Sequence, residues 1–313
     1  MHPAKVSVII PAYNCQRFLR QTIESILAQR DVSLEIIVIN DGSTDETGEI
    51  AKSFGSPVRV INQENSGVCR ARNLGLQESQ GEFIAFMDHD DYWLPLKLSE
   101  QLRAFDTYPA AGVVFTNFRW WRPDQSGYYE LLDTQSESEM SETLVLDPEY
   151  CGWIYHRMLF DSWVLTSTAL SRREVFTHCG AFDETLPFSE DWDLWLRVSR
   201  KFQFVKLASM STLYRQHPTQ GSRVVRDIDY RTILIEKALR TWGYCGPDGQ
   251  CADARSLSRR LAEYHTQFAL HHVRSGSKTI ALRSFIKALR ADLTYVRSGA
   301  YAIASLIGWR PNW

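Results

Sequence analysis

Over its first hundred or so positions the chain alternates between short unbroken apolar runs and segments with helical spacing. VSVII (6–10), LEIIVIN (34–40), VRVIN (58–62) and EFIAFMD (82–88) are continuous runs rich in β-branched and aromatic residues. Between the first two, residues 15–29 place Phe18, Leu19, Ile23, Ile26 and Leu27 on one helix face. STDETGEIAKSF (43–54) opens with Ser and Thr before acids, which marks a helix start. GVCRARNLGLQES (67–79) forms the next connection. Strands buried on both faces and separated by helices predict an α/β fold, a mostly parallel sheet flanked by helices.

The second half is less regular. GVVFTNFRWW (112–121) reads as a strand, and the polar residues 122–148 as a long loop or hairpin. VLTSTALSRREVFTHCG (164–180) reads as a strand running into a helix. SEDWDLWLRVSR (189–200) reads as a helix with Ser189 as N-cap, acids in the first turn, and Arg197 and Arg200 in the last. After about position 224 the pattern is helical, with Leu282, Phe285, Ile286 and Leu289 on one face.

Ligands on open parallel sheets bind beyond the carboxyl ends of the strands. Three polar strand ends fall there: Pro11–Asn14, Asn40–Asp41 and Asp88–Asp91. The last is the sharpest feature of the chain, because Asp88, Asp90 and Asp91 crowd around His89 and repel one another unless something positive joins them. Closely spaced carboxylates suit Mg²⁺ or Mn²⁺, which bind through one or two carboxylates together with substrate phosphates.

Bulk properties narrow the class. With 44% apolar and 23% charged residues and a net charge of −2, the chain reads as an ordinary soluble protein and not a nucleic-acid binder. Neither a secretory signal nor a spanning helix is expected. The six cysteines, at 15, 69, 151, 179, 245 and 251, form no C-x-x-C pair, so reduced thiols in a cytoplasmic protein are expected. Residues 252–313 carry ten Lys/Arg and three Asp/Glu, a basic tail behind an acidic body.

Five stretches occur in order: VSVIIPAYNCQRFLRQTIESILAQ, LEIIVINDGSTDET, NSGVCRARNLGL, GEFIAFMDHDD and SEDWDLWLR. Over residues 5–220 the chain resembles the inverting glycosyltransferases of family 2, which have the GT-A fold. The resemblance implies a domain over 1–224, with a nucleotide-binding half (1–110) and an acceptor half (111–224), and a C-terminal helical region over 225–313. It implies a nucleotide-diphosphate sugar donor, UDP-linked by family frequency, and a glycan or lipid-linked acceptor.

The same resemblance assigns residues. Pro11, Ala12, Tyr13 and Asn14 line the nucleotide pocket, with the Tyr13 ring available for stacking. Asp41 reads the base edge. Arg70 and Arg72 stand where basic nucleotide or phosphate contacts fall, Arg72 being favoured. Asp90 is the metal ligand, Asp88 approaches the ribose or the metal's waters, His89 is a spacer, and Asp91 is a helix-capping acid. Of the acid pair Glu190 and Asp191, Asp191 is the general base for the acceptor hydroxyl. Mn²⁺ or Mg²⁺ offsets charge on the leaving diphosphate. In LYRQHPTQGS (213–222), Arg215 and His217 either reach the diphosphate or metal or belong to a surface loop.

Other readings stay open. No G-x-G-x-x-G follows the first strand, against a nicotinamide enzyme, and no Gly-rich triphosphate loop, against a nucleotidyltransferase. The Q-x-x-R-W signature of processive members is absent, which points to addition of one sugar or a short oligomer. A catalytically inactive nucleotide-sugar-binding or scaffold protein is the rival class. Arg283, Lys287 and Arg290 with the apolar tail suit peripheral contact with the inner face of a membrane; packing on the domain or in an oligomer is the alternative. Trp120 or Trp121 is a candidate acceptor contact, and Trp192 and Trp195 are core candidates.

Overall fold

The computed structural model describes residues 6–131 and 143–306. Part of the expected loop at 122–148 therefore lies outside the described residues. The chain divides into two compact units, Met1–Ile154 with Ser162–Pro218, and Tyr155–Asp161 with Thr219–Trp313.

In the first unit the four early runs become β1 (Val6–Ala12), β2 (Leu34–Asp41), β3 (Val58–Gln63) and β4 (Phe83–Phe86). β1 pairs in parallel with both β2 and β4, and β2 with β3. Every residue of β1 is buried, because helices cover both sheet faces. On one face α1 (Leu19–Leu27) sets Leu19, Ile23 and Ile26 against Val6, Val8 and Ile10. On the other, Ala71 and Leu74 of α3 (Val68–Glu78) pack on Ile37 and Ile39. Each fully buried Val, Leu or Ile among them contributes about 1.5–3 kcal/mol. A Cβ on Gly75 would collide with the Ile9 side chain, so glycine sets how closely α3 approaches β1. α2 (Thr47–Lys52) is shorter than the run 43–54 suggests, because the Asp45 carboxylate accepts from the Thr47 N–H at 3.0 Å and starts the helix late.

Among the described residues the sheet has eight strands in the order β3-β2-β1-β4-β7-β6-β8-β5. β5 is Tyr92–Trp93, β6 Ala111–Trp121, β7 Ala169–Arg172 and β8 Gln203–Arg215. β7 runs antiparallel between β4 and β6, and β6 pairs in parallel with β8. The sheet is therefore mixed, with all pairings among β1–β4 parallel. α4 (Lys97–Thr107), a short helical turn α5 (Tyr155–Met158), α6 (Arg173–Cys179) and α7 (Glu190–Val198) complete the order up to β8, α5 lying in the second unit. Trp192 and Trp195 are buried in the core, as their spacing suggests.

The second unit is helical: α8 (Tyr230–Trp242), α9 (Ala254–Ser275), α10 (Lys278–Ala291) and α11 (Val296–Leu306). Tyr155–Asp161 joins it through Arg260 of α9, which donates to the Phe160 carbonyl at 3.0 Å and pairs with Asp161. Two expectations are corrected here. Cys245 and Cys251 are disulfide-bonded in the α8–α9 connection, so the six cysteines are not all reduced. The buried face of α10 is Ala281, Ser284, Phe285 and Ala288, whereas Leu282 and Ile286 are exposed. Small side chains let α10 lie close on α9, and that outranks the larger apolar residues next to them. Among the described residues no helix is long and apolar enough to cross a membrane.

Candidate active site

The carboxyl ends of β1, β2 and β4 open on one side of the sheet. Pro11 and Ala12 end β1 as buried residues, and Tyr13 follows with 46% of its surface exposed. Asn14 takes a left-handed backbone (φ 45°), and its Oδ1 accepts from the Thr44 N–H at 2.8 Å. That bond ties the PAYN turn to the turn after β2. His89 Nδ1 lies 3.2 Å from the Pro11 carbonyl oxygen, so the ring braces β1.

Asp41 ends β2 and is buried. Its Oδ1 accepts from Gln63 Nε2 (2.6 Å) and the Ser66 N–H (2.8 Å), and its Oδ2 from the Gly67 N–H (2.9 Å). Gly67 turns into α3 at φ 89°, a conformation that favours glycine. The carboxylate thus already holds the loop that leads into the next helix.

The crowded acids each have their own solution. Asp88 Oδ1 accepts from Arg72 Nη2 at 2.7 Å. Asp90 Oδ2 accepts from His217 Nε2 at 2.8 Å. Burial pushes the Asp90 carboxyl up, but the His217 hydrogen bond and the nearby His89 and His217 rings outweigh it and hold the group below the usual carboxylate range. Asp91 is fully buried, and burial together with the charges of Asp90 and Asp88 pushes it well above that range, toward the neutral form. It caps no helix: its Oδ1 accepts from the Arg215 N–H at 3.2 Å and so ties the end of β8 to the acidic turn. One acid pairs with an arginine, one with a histidine, and one is shifted toward its neutral form by burial and its acidic neighbours.

The fifth motif arrives from the other side. Ser189 occupies the N-cap position of α7 as expected, but it sits in the left-handed region (φ 59°) and its hydroxyl makes no capping hydrogen bond. A non-glycine residue held there costs on the order of 1 kcal/mol. It is followed at once by Glu190 and Asp191. Glu190 Oε1 accepts from Arg72 Nη1 at 2.7 Å. Asp191 Oδ1 accepts from its neighbour's N–H, Trp192, at 2.7 Å. Desolvation and the Glu190 charge push the Asp191 carboxyl up to about 7 despite the opposing Arg72. The residue is half-buried. A carboxyl that titrates near neutrality is suited to accept a proton at physiological pH.

Arg72 is 4% exposed and its guanidinium rests 5.0 Å from the Phe182 ring centroid. Arg70 instead stands in solvent, 3.6 Å from Glu184. Arg215 does not extend from a surface loop. It is buried at the end of β8, with Phe18, Trp121 and Tyr129 rings at 4.7, 4.2 and 4.6 Å, and its Nε donates to the Asp90 carbonyl at 2.6 Å. Trp121 is therefore committed to this cage, and Trp120 is 55% exposed. Motif spacing carries no signal for Phe182, for Ser167, whose hydroxyl accepts from the Asp88 N–H, or for Thr22, which donates to the His89 and Asp91 carbonyls.

Among the described residues no three His, Cys, Asp or Glu side chains gather as a ready metal cage. Asp90 and His217 are hydrogen-bonded to each other, so a cation held there would replace that bond and take the Asp90 carboxylate and the imidazole, with Asp88 in the same turn. That donor set fits a hard divalent cation that takes its other ligands from phosphate and water.

Fold and site define a class, a GT-A-like α/β protein whose acidic turn at 88–91 is joined through Arg72 to Glu190 of the acid pair. Comparison with known proteins gives the family. The model for "Glycosyl transferase family 2" matches residues 7–162. The glycosyltransferase GlyG of Streptococcus pneumoniae serotype 4 is 30% identical over 237 residues, 74% of this chain and 77% of that protein. An uncharacterised glycosyltransferase of Rickettsia prowazekii is 34% identical over 198 residues, 62% of this chain and 58% of that protein. The chain spans 31–60% of the length of the Rickettsia relatives it matches. Among solved structures, Staphylococcus aureus TarS 1–349 in complex with UDP-GlcNAc superposes with a TM-score of 0.64 at 19% identity, covering 96% of this chain and 88% of that one. The chain belongs to glycosyltransferase family 2.

Proposed function

We propose that the protein is a metal-dependent inverting glycosyltransferase. It moves one sugar from a UDP-linked donor to a hydroxyl of a glycan or lipid-linked acceptor. The observation that carries this reading is the meeting of the acidic turn at 88–91 with the acid pair at 190–191 through Arg72. A structural neighbour that binds UDP-GlcNAc supports the choice of nucleotide.

In this reading the PAYN turn and Asp41 shape the nucleotide end of the crevice. Asp90 and His217, with Asp88, would hold Mn²⁺ or Mg²⁺, which when bound supplies positive charge for the leaving diphosphate. Asp191 takes the proton from the acceptor hydroxyl as its oxygen attacks the anomeric carbon. The bond to the diphosphate breaks on the opposite face, so configuration inverts and UDP leaves. Glu190 accompanies the base. Peripheral contact with an anionic membrane is also proposed for the second unit, because Leu282 and Ile286 stay exposed beside the exposed Arg283 and Lys287.

The test is UDP release from UDP-glucose, UDP-galactose and UDP-GlcNAc with Mn²⁺. Release that requires Asp191 supports the reading; no release from any UDP-sugar, together with no UDP binding, sinks it.

A further inference from the structure

Both terminal nitrogens of Arg72 are committed. Nη1 donates to Glu190 Oε1 and Nη2 to Asp88 Oδ1, each at 2.7 Å, across sequence separations of 118 and 16 residues. The side chain is 4% exposed and backed by the Phe182 ring. With only 4% of the side chain exposed and both Nη atoms turned to acids, the guanidinium presents little surface to a diphosphate. We infer that Arg72 is a positioning residue, not a phosphate ligand: it locks Glu190 beside the base and Asp88 beside the cation-binding turn, and Glu190 acts as a fixed charge on Asp191 instead of as a second proton acceptor. This inference rests on reading Asp191 as the base.

The charge balance supports it. Asp191 faces Glu190 on its own helix, Arg72 on α3 and Asp88 after β4. Asp193, the next acid on α7, is taken up by Arg197 at 2.8 Å. One arginine thus stands among three acids, and two of them hold its Nη atoms. The third, Asp191, is left to carry the excess negative potential, which is what makes it a better proton acceptor. The guanidinium fork is needed because an ammonium cannot hold two carboxylates at fixed separation.

Two variants test this, with UDP release against pH and UDP titration as readouts. Glu190→Gln keeps an oxygen for Arg72 but removes the charge. It should move the acidic midpoint of kcat down by about one pH unit, with UDP affinity changed by less than about threefold. Arg72→Lys should lower kcat about tenfold or more while UDP affinity stays within about threefold. An unmoved midpoint in Glu190→Gln overturns the inference. So does an Arg72→Lys chain that loses UDP affinity but keeps kcat, the signature of a phosphate ligand. If Arg72→Lys does not fold, Glu190→Gln decides alone. The Asp191 midpoint is also read without substrate, from the difference in unfolding free energy between chains with and without Asp191→Asn across pH, in the presence and absence of Glu190→Gln. A wild type that turns over no UDP-sugar sinks the donor reading and leaves that second readout intact.

Discussion

Asp191→Asn should abolish turnover and at the same time stabilise the protein above neutral pH. The carboxyl is pushed from 3.8 to about 7. In the folded state it therefore holds a proton over a range where the unfolded chain has released it. For an acid of raised pKa the sign is fixed: its contribution to stability is fully present below pH 3.8 and is lost as pH rises to about 7. A tenfold change in proton affinity corresponds to about 1.4 kcal/mol, so the full loss is about 4 kcal/mol, and about 2 kcal/mol after allowing for solvent screening of the half-buried Asp191. Asparagine does not titrate, and its oxygen can keep the bond from the Trp192 N–H. Urea denaturation of both chains at pH 4 and pH 8 measures the effect. The curves should nearly coincide at pH 4, and the variant should be more stable by about 2–4 kcal/mol at pH 8. A variant equal to or weaker than wild type at pH 8 refutes the reasoning, because the carboxyl would then carry no burden.

Other consequences follow from the same geometry. The acidic limb of kcat/KM, which reports the free enzyme, should have its midpoint near pH 7, the value to which Asp191 is raised, with activity gained as pH climbs; a midpoint near 4 removes Asp191 as the base. Asp90→Ala, which leaves His217 without its carboxylate, should abolish metal-dependent UDP binding in calorimetry, and normal binding with Mn²⁺ would reject the metal assignment. Asp41→Ala removes the acceptor of three hydrogen bonds at the start of α3 and should cost about 1–3 kcal/mol in urea unfolding. The protein should float with anionic vesicles and not with neutral ones, and protein left at the bottom with both lipids excludes membrane contact.

The sheet's first half is legible in the sequence because parallel strands buried on both faces appear as unbroken apolar runs, and the helices between them keep their own spacing. The site is legible as residue types at strand ends. What stays hidden is how the charges pair. Nothing in a spacing says that Arg72 meets both Asp88 and Glu190, or that Asp90 meets His217, since those contacts arise between distant segments. Ser189 takes the cap position, as Ser before acids usually does, but with the left-handed entry into α7 its hydroxyl makes no capping bond. The α10 face misleads because closeness of packing there counts for more than side-chain size. The Cys245–Cys251 disulfide gives no sequence signal because a six-residue separation matches no short cysteine motif.

Titration of UDP into the protein by calorimetry, first with Mn²⁺ and then with EDTA, tests the central claim most directly. The account predicts binding with the metal that is lost or strongly weakened without it. Equal binding in both conditions would contradict the role given to Asp90 and His217, and no binding in either would contradict the UDP-linked donor itself.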